Sequence, residues 1–181
     1  MIQIIETSLE EFENKIYREY MKLFPEDERR PLYKIKRTYE NGIEIIYKIM
    51  LNDVLIGFIL LEKIENHPYY LDYFAVFKKY QSHGYGTEAM KILLDEIKND
   101  GLIGEIEKIS EIDINTKKRF DFYKRLGFEE IKSEYLLYDV LYVPISYGLD
   151  YSKDEIDRSC FDYYIINSGK EEAEKNCKLI K

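Results

Sequence analysis

Two glycines sit between a strand-like run, Tyr69 to Phe77, and a helix-like run that starts near Thr87; they fall in Gln81-Ser82-His83-Gly84-Tyr85-Gly86. No other stretch constrains the fold as strongly. Glycine adopts backbone conformations that other residues avoid, so two of them just before a helix let the chain turn its amides toward one point. The helix adds the unbonded donors of its first turn and a partial positive charge of about half a unit. Such a turn is a cradle for phosphate groups.

Two ligands want this turn, and the spacing separates them. Gly84 to Ala89 fits the G-x-G-x-x-A form of a dinucleotide fingerprint, with Glu105 or Glu107 downstream as the acidic residue. In that unit the first glycine follows its strand almost at once. Here Lys78 to His83 intervene, and the preceding elements read as an antiparallel meander. The alternative is Q/R-x-x-G-x-G/A, the cradle for the pyrophosphate of an acyl carrier, which Gln81 to Gly86 meets in full. Lys78 and Lys79 assist an approaching anion. A plain tight turn is the bland alternative, and the elements around the glycines argue against it.

Those elements read as follows. Ile2 to Ile5 is a short strand. Ser8 and Glu11 form a capping box, and Leu9, Phe12, Ile16, Tyr20 and Leu23 share one helical face. Glu26 to Arg30 reads as an exposed turn or a short helix. Ile43 to Leu51, Val54 to Leu61 and Tyr69 to Phe77 are strands joined too tightly for crossover helices, so they form an antiparallel meander. Met90, Leu93, Leu94 and Ile97 mark a helix that Gly101 closes. Ile103 to Ile109 is a strand parallel to 69–77, and Phe120, Tyr123, Lys124 and Leu126 mark a second helix closed by Gly127. Tyr135 to Tyr147 reads as one strand. Residues 150–167 admit two readings: a helix from 153, capped by Ser152 and Glu155, or a capped turn leading to a strand at Cys160–Asn167. The strand propensity of Phe161 to Ile166 favours the second. The division expected is a single domain over 1–167 with a charged tail over 168–181.

Composition narrows the class of function. The chain has 181 residues, the size of one ordinary domain, and a net charge of -8. That charge argues against nucleic acid or an anionic membrane as a partner. No apolar run reaches the roughly 20 residues that span a bilayer, and the N-terminus has no secretory pattern. Two isolated cysteines, Cys160 and Cys177, give no zinc pattern, so no metal is expected. A cytoplasmic setting follows.

Leu71-Asp72-Tyr73-Phe74-Ala75-Val76, then Gln81 to Gly86, then Phe122-Tyr123-Lys124-Arg125-Leu126-Gly127-Phe128 occur in an order and spacing that resembles the GNAT N-acetyltransferase superfamily, as does Gly57 in the earlier strand. The resemblance covers about residues 1–147, with 160–167 as a candidate last strand. It implies an α/β (α+β) fold: a mixed, mostly antiparallel sheet of six or seven strands, splayed between the fourth and fifth, with helices on both faces. It implies acetyl-CoA as co-substrate, held through the backbone of Phe74, Ala75 and Val76 and, at the pyrophosphate, by Gln81, Ser82, His83, Gly84, Tyr85, Gly86 and Thr87. The family's Asn lies seven residues before the tyrosine and its Ala four before. Here Asn115 lies eight before and Arg119 holds the Ala position, so Asn115 and Arg119 are cofactor candidates by position only.

The chemistry implied is attack of an amine on a thioester. It needs a neutral amine, an oxyanion donor and a proton for the departing thiolate. Tyr123 is the candidate acid, and Asp72, Glu105 and Glu107 are candidate bases that would also draw a cationic amine. The acceptor expected is a small-molecule or peptide amine, with the protein a monomer or homodimer. The competing functions are a non-catalytic acyl-CoA-binding module and an NAD(P)-dependent oxidoreductase.

Overall fold

A computed structural model describes residues 1–26, 28–148 and 151–180. The chain forms two compact units. The first comprises Met1–Ile64 and Leu71–Glu96, the second Glu65–Tyr70 and Ile97–Lys181. Nine strands occur among the described residues, in a mixed and mostly antiparallel arrangement.

The first unit opens with β1 (Ile2–Glu6) and a helical run of three segments. These are α1 (Leu9–Glu11), a π-helical stretch (Phe12–Ile16) and α2 (Tyr17–Leu23). Ser8 accepts the Glu11 amide, but the Glu11 carboxylate accepts from Thr7, Lys15 and Lys48, so only the Ser8 half of the expected capping box forms. Phe12, Ile16 and Tyr20 are each four apart, and four residues overshoot an α-helical turn by about 40°. The wider π turn lets Phe12 and Ile16 share a face with Tyr20, and all three are fully buried. α3 (Leu32–Glu40) follows where the sequence reading had placed no element. It buries Ile35 and Thr38.

β2 (Glu44–Leu51), β3 (Val54–Glu62) and β4 (Tyr69–Val76) make the expected meander, with β1 antiparallel to β2. Ile46, Phe58, Leu60, Ala75 and Phe77 meet the helical face of Phe12, Ile16, Tyr20 and Ile35 in one core. Each such buried side chain is worth roughly 1.5–3 kcal/mol. Ile49 pairs with Gly57 but Met50 with Leu55, so Ile56 is an extra residue that bulges β3. α4 (Tyr85–Glu96) buries Ala89, Met90, Leu93 and Leu94.

In the second unit β5 (Leu102–Glu107) runs parallel to the start of β4, where the Tyr69 amide donates to the Gly101 carbonyl at 3.0 Å. α5 (Ile114–Arg125) follows, then β6 (Glu129–Glu130), β7 (Tyr135–Leu137) and β8 (Val140–Tyr147). The run 135–147 is thus a hairpin and not one strand. Tyr138 and Asp139 both take positive φ, +44° and +69°, the geometry of a two-residue type I′ turn. The sequence hid this turn because it contains no glycine or asparagine.

Residues 160–167 are helical, which overturns the expected strand. α6 (Lys153–Ser168) starts at Ser152 with a reciprocal capping box to Glu155. Its buried residues Ile156, Ser159, Cys160, Tyr163 and Asn167 recur at helical spacing. Burial of that stripe and the cap outweigh the strand propensity of the aromatic and β-branched residues between them. The Tyr163 hydroxyl donates to the Pro68 carbonyl at 2.7 Å and its ring stacks on Tyr70 at 4.8 Å, tying α6 to the first residues of β4 and the proline before them. Beyond Gly169 come α7 (Lys170–Asn176) and β9 (Cys177–Leu179), which pairs antiparallel with β7.

Candidate active site

The glycine loop lies in the first unit between a short 3-10 turn, Lys78–Tyr80, and α4. Ser82 and Gly84 take positive φ, +65° and +83°. The Gln81 side chain donates to the Val76 carbonyl at 2.8 Å, which fastens the loop to the end of β4. The His83 ring donates to the Gln81 carbonyl at 2.6 Å and stacks on Tyr85 at 5.5 Å, so it braces the loop. The Gln81 amide is bonded to the Lys78 carbonyl and the Glu88 amide to Gly84. Between them, the amides from Ser82 to Thr87 make no hydrogen bond to any described residue. Six consecutive unbonded donors at an exposed helix start form an anion-binding concavity. Gly86 faces β4: a Cβ there would come within 3.4 Å of the Phe74 ring and 3.5 Å of Val76.

β4 is held close to β3 at this end. A Cβ on Gly57 would stand 2.3 Å from the Ala75 carbonyl oxygen and 3.1 Å from the Val76 Cα. Only glycine permits that approach. The Phe77 amide donates to the carbonyl of Ile56, the bulged residue, at 2.8 Å. Phe74, Ala75 and Val76 therefore sit on a backbone that two irregular features shape.

Asp72, read from the sequence as a candidate base, lies in a buried ion cluster. The Arg30 guanidinium contacts Glu44 on β2 and Glu62 on β3 and lies 3.2 Å from Asp72 on β4. Thr38 donates to Glu44 at 2.7 Å. Burial works against the charge on Arg30, but Asp72, Glu62 and Glu44 more than offset it and hold the guanidinium protonated. Burial pushes Glu44 up to about 7, against the pull of Arg30. The three carboxylates offer oxygens within 4.8 Å of one another, a spacing that suits a cation, and the Arg30 guanidinium is the cation there. The sequence reading missed Arg30, Glu44 and Glu62. The signal was available in part, since Glu62 ends the apolar run Val54-Leu55-Ile56-Gly57-Phe58-Ile59-Leu60-Leu61.

The other chemical candidates lie in the second unit. Tyr123, near the end of α5, is half-buried between the rings of Phe122 and Phe128, 5.1 and 5.2 Å away. Its hydroxyl makes no hydrogen bond to any described residue. Burial raises its pKa further above the phenol range, with the Arg119 charge opposing. It lines a pocket of about 270 Å³ with Phe120, Lys124, Phe128, Glu129, Glu130 and Ile145. Glu107, the last residue of β5, is paired with Arg119 of α5. Asn115 stands in the first turn of α5, where its amide donates to the capping Asp113 at 2.9 Å and its side chain is exposed. Glu105 accepts from the hydroxyls of Tyr70 and Tyr164 through one oxygen, while its other oxygen is buried and makes no hydrogen bond among the described residues. Burial raises its pKa and the hydroxyls of Tyr164 and Tyr70 oppose that shift. Cys160 is buried beside it, and burial pushes that thiol well up, leaving it unreactive. Glu105 and Glu107 share a strand face as expected, yet each already has its own partners.

Comparison with known proteins places the chain. The acetyltransferase (GNAT) family profile matches residues 13–128, more than half of its length. The chain belongs to that family, a class of acetyl-CoA-dependent acetyltransferases. A GNAT-family protein from Bacteroides thetaiotaomicron superposes with a TM-score of 0.79 at 22% identity, over 94% of this chain and 99% of that one. The ribosomal-protein-S18-alanine N-acetyltransferase of Escherichia coli gives 0.62 at 16% identity, over 84% and 96%. A GNAT acetyltransferase from Elizabethkingia anophelis, solved with acetyl-CoA bound, gives 0.61 at 15% identity, over 82% and 98%. No curated protein sequence matches. The family assignment displaces the dinucleotide reading of the glycines.

Proposed function

We propose that this protein transfers an acetyl group from acetyl-CoA to a primary amine by direct attack within a ternary complex. The observation that carries the proposal is the run of unbonded amides from Ser82 to Thr87 at the start of α4. Each hydrogen bond to a charged group is worth roughly 1.5–3 kcal/mol. Several together suffice to hold a diphosphate despite the net charge of -8, because exposed charges beyond roughly 8–10 Å are screened. In this reading the backbone of Phe74, Ala75 and Val76 takes the pantetheine arm, and the Val76 amide faces the thioester carbonyl as oxyanion donor. Tyr123 gives its proton to the departing thiolate: its hydroxyl has no internal acceptor and is protonated at neutral pH, while burial makes it a weaker acid than a free phenol, so the transfer relies on close alignment with the sulfur. Asn115 and Arg119 stand as candidate cofactor contacts on α5. Asp72 serves Arg30 as counter-ion, so Glu105 and Glu107 remain the candidates for taking the amine proton, directly or through water.

The acidic candidates favour a cationic primary amine as acceptor: a polyamine, an amino sugar, or a peptide N-terminus or lysine. A second reading, an acyl-CoA-binding module without catalysis, draws support from the engagement of all three carboxylates: Asp72 with Arg30, Glu105 with two tyrosines and Glu107 with Arg119.

One experiment separates the two. Saturating acetyl-CoA raises the melting temperature in both readings, but thiol release against a panel of polyamines, amino sugars and peptides occurs only in the first. Tyr123→Phe then lowers kcat by about 10²-fold or more with little change in acetyl-CoA affinity. Thermal stabilisation without thiol release from any amine would favour the binding module, and no stabilisation at all would end both.

A further inference from the structure

We propose that Arg30 is a positioning residue for acyl transfer: its guanidinium clamps three neighbouring strands together and so fixes the backbone of Phe74–Val76. The inference rests on the acyl-CoA reading above. Its basis is the geometry of the first unit alone.

Glu44, Glu62 and Asp72 come from β2, β3 and β4, so one planar cation joins three strands side by side. Arg30 is only 7% exposed. The segment that delivers it is anchored as well. The Tyr20 hydroxyl donates to the Arg30 carbonyl at 3.1 Å, the Arg30 amide donates to the Tyr73 hydroxyl at 2.9 Å, and that hydroxyl donates to the Glu28 carbonyl at 2.7 Å. Tyr73 packs edge-on against Tyr20 and Phe24, each 4.9 Å away.

Asp72 and Tyr73 are consecutive in β4, yet both reach the segment 28–30. Successive side chains of a regular strand point to opposite faces. The strand therefore departs from alternation at this step, as strands do where a bulge re-aims the backbone. Two residues later comes the Ala75 carbonyl that Gly57 admits. β4 is thus gripped on both sides of Phe74, by the Arg30 clamp before it and by the Gly57 contact after it. An arginine is suited to the first grip because its rigid fork reaches several acceptors at once, whereas a lysine offers one point charge.

A purely structural clamp would set the melting temperature and nothing else. A positioning clamp sets how the Phe74–Val76 amides meet the acyl carrier. Nitrogen-15-labelled full-length protein is titrated with acetyl-CoA in three forms: wild type, Arg30→Lys, which keeps a buried cation, and Tyr73→Phe, which removes only a hydroxyl. All are compared below their melting temperatures. In the wild type the amides of residues 74–76 and 81–87 both shift. In the two variants the 81–87 set is expected to shift in full and the 74–76 set by less than half as much, with kcat lowered about tenfold. Wild-type responses of the 74–76 amides in both variants would overturn the proposal, as would loss of both sets together, which would mark general unfolding of the unit. Absence of any shift in the wild type would remove the acyl-CoA reading, and this proposal with it.

Discussion

At the residue scale the acidic side chains show how far burial moves chemistry from what a composition count implies. Glu44 is 4% exposed, and its pKa stands near 7 because burial penalises its charge more than Arg30 favours it. Arg30, Glu62, Asp72 and Thr38 face it, with Lys34 buried on the same helix as Thr38. A folded-state pKa above the ordinary carboxylate value means that the native state holds the proton more tightly than the unfolded chain. The stability that Glu44 contributes is full below the ordinary range and is lost as pH rises through about 7. Glu44→Gln cannot titrate. Its melting temperature relative to wild type should therefore increase from about pH 4.5 to about pH 7 and level off above that, measured by thermal scans from about pH 4 to about pH 8. Gly84 supplies the opposite kind of test, a backbone one. At φ +83° an alanine is strained, and re-aiming even part of the amide run should weaken acetyl-CoA binding about tenfold, or about 1.4 kcal/mol by calorimetry. The cradle at 81–87 was legible because its requirement is local: glycines at a fixed spacing before a helix. The Arg30 cluster was not, because Glu44, Glu62 and Asp72 lie 14 to 42 residues after Arg30 and nothing local joins them.

At the element scale, the buried helical stripe of the first unit keeps its sequence spacing, whereas its strands do not alternate: β2 buries Glu44, Ile46 and Ile49, and β3 is buried from Ile56 to Glu62. α6 carries two local signals that oppose each other. Both of its signals were present, the Ser152–Glu155 cap and the strand-favouring Phe161 to Ile166. Strand propensity measures the fit of a side chain to a half-buried sheet, so it loses force when the residues pack on a sheet from outside. The reciprocal cap is worth about 1 kcal/mol. Ser152→Ala should accordingly lower the melting temperature by about 2–4 °C and leave acetyl-CoA affinity unchanged, since α6 carries none of the cradle residues. A larger loss of affinity than of stability would show that α6 reaches the cofactor. The π-helical stretch Phe12–Ile16 was likewise invisible in the sequence, because a four-residue apolar spacing is compatible with an ordinary helix.

At the scale of the whole molecule, the C-terminal residues are the point on which sequence and structure part most. A charged stretch with few apolar residues reads as a tail, yet Ala173 and Cys177 are buried and β9 continues the sheet beyond β7. Strand pairing makes the difference, since backbone bonding is indifferent to side-chain charge. Removal of residues 170–181 would uncover the edge of β7 and the apolar contacts beneath α7. The expected result is a melting temperature lower by several degrees, at about 2–4 °C per kcal/mol, and aggregation through the exposed edge. Light scattering and thermal scans of the truncated chain would check both. A truncated protein as stable and soluble as the full chain would show that β9 adds nothing.

The amino-acid sequence by itself determined the features that depend on near neighbours: the glycine cradle, the meander, the helices of apolar period, the tyrosine before Leu126-Gly127-Phe128, and through them the family. Tertiary structure decided which carboxylates are free for chemistry, which helix carries residues 153–168, and how Gly57 and Arg30 hold β4. The reason is physical. Periodicity and turn geometry are set within a few residues by backbone sterics, whereas ion pairing, burial and strand pairing depend on groups that only folding brings together.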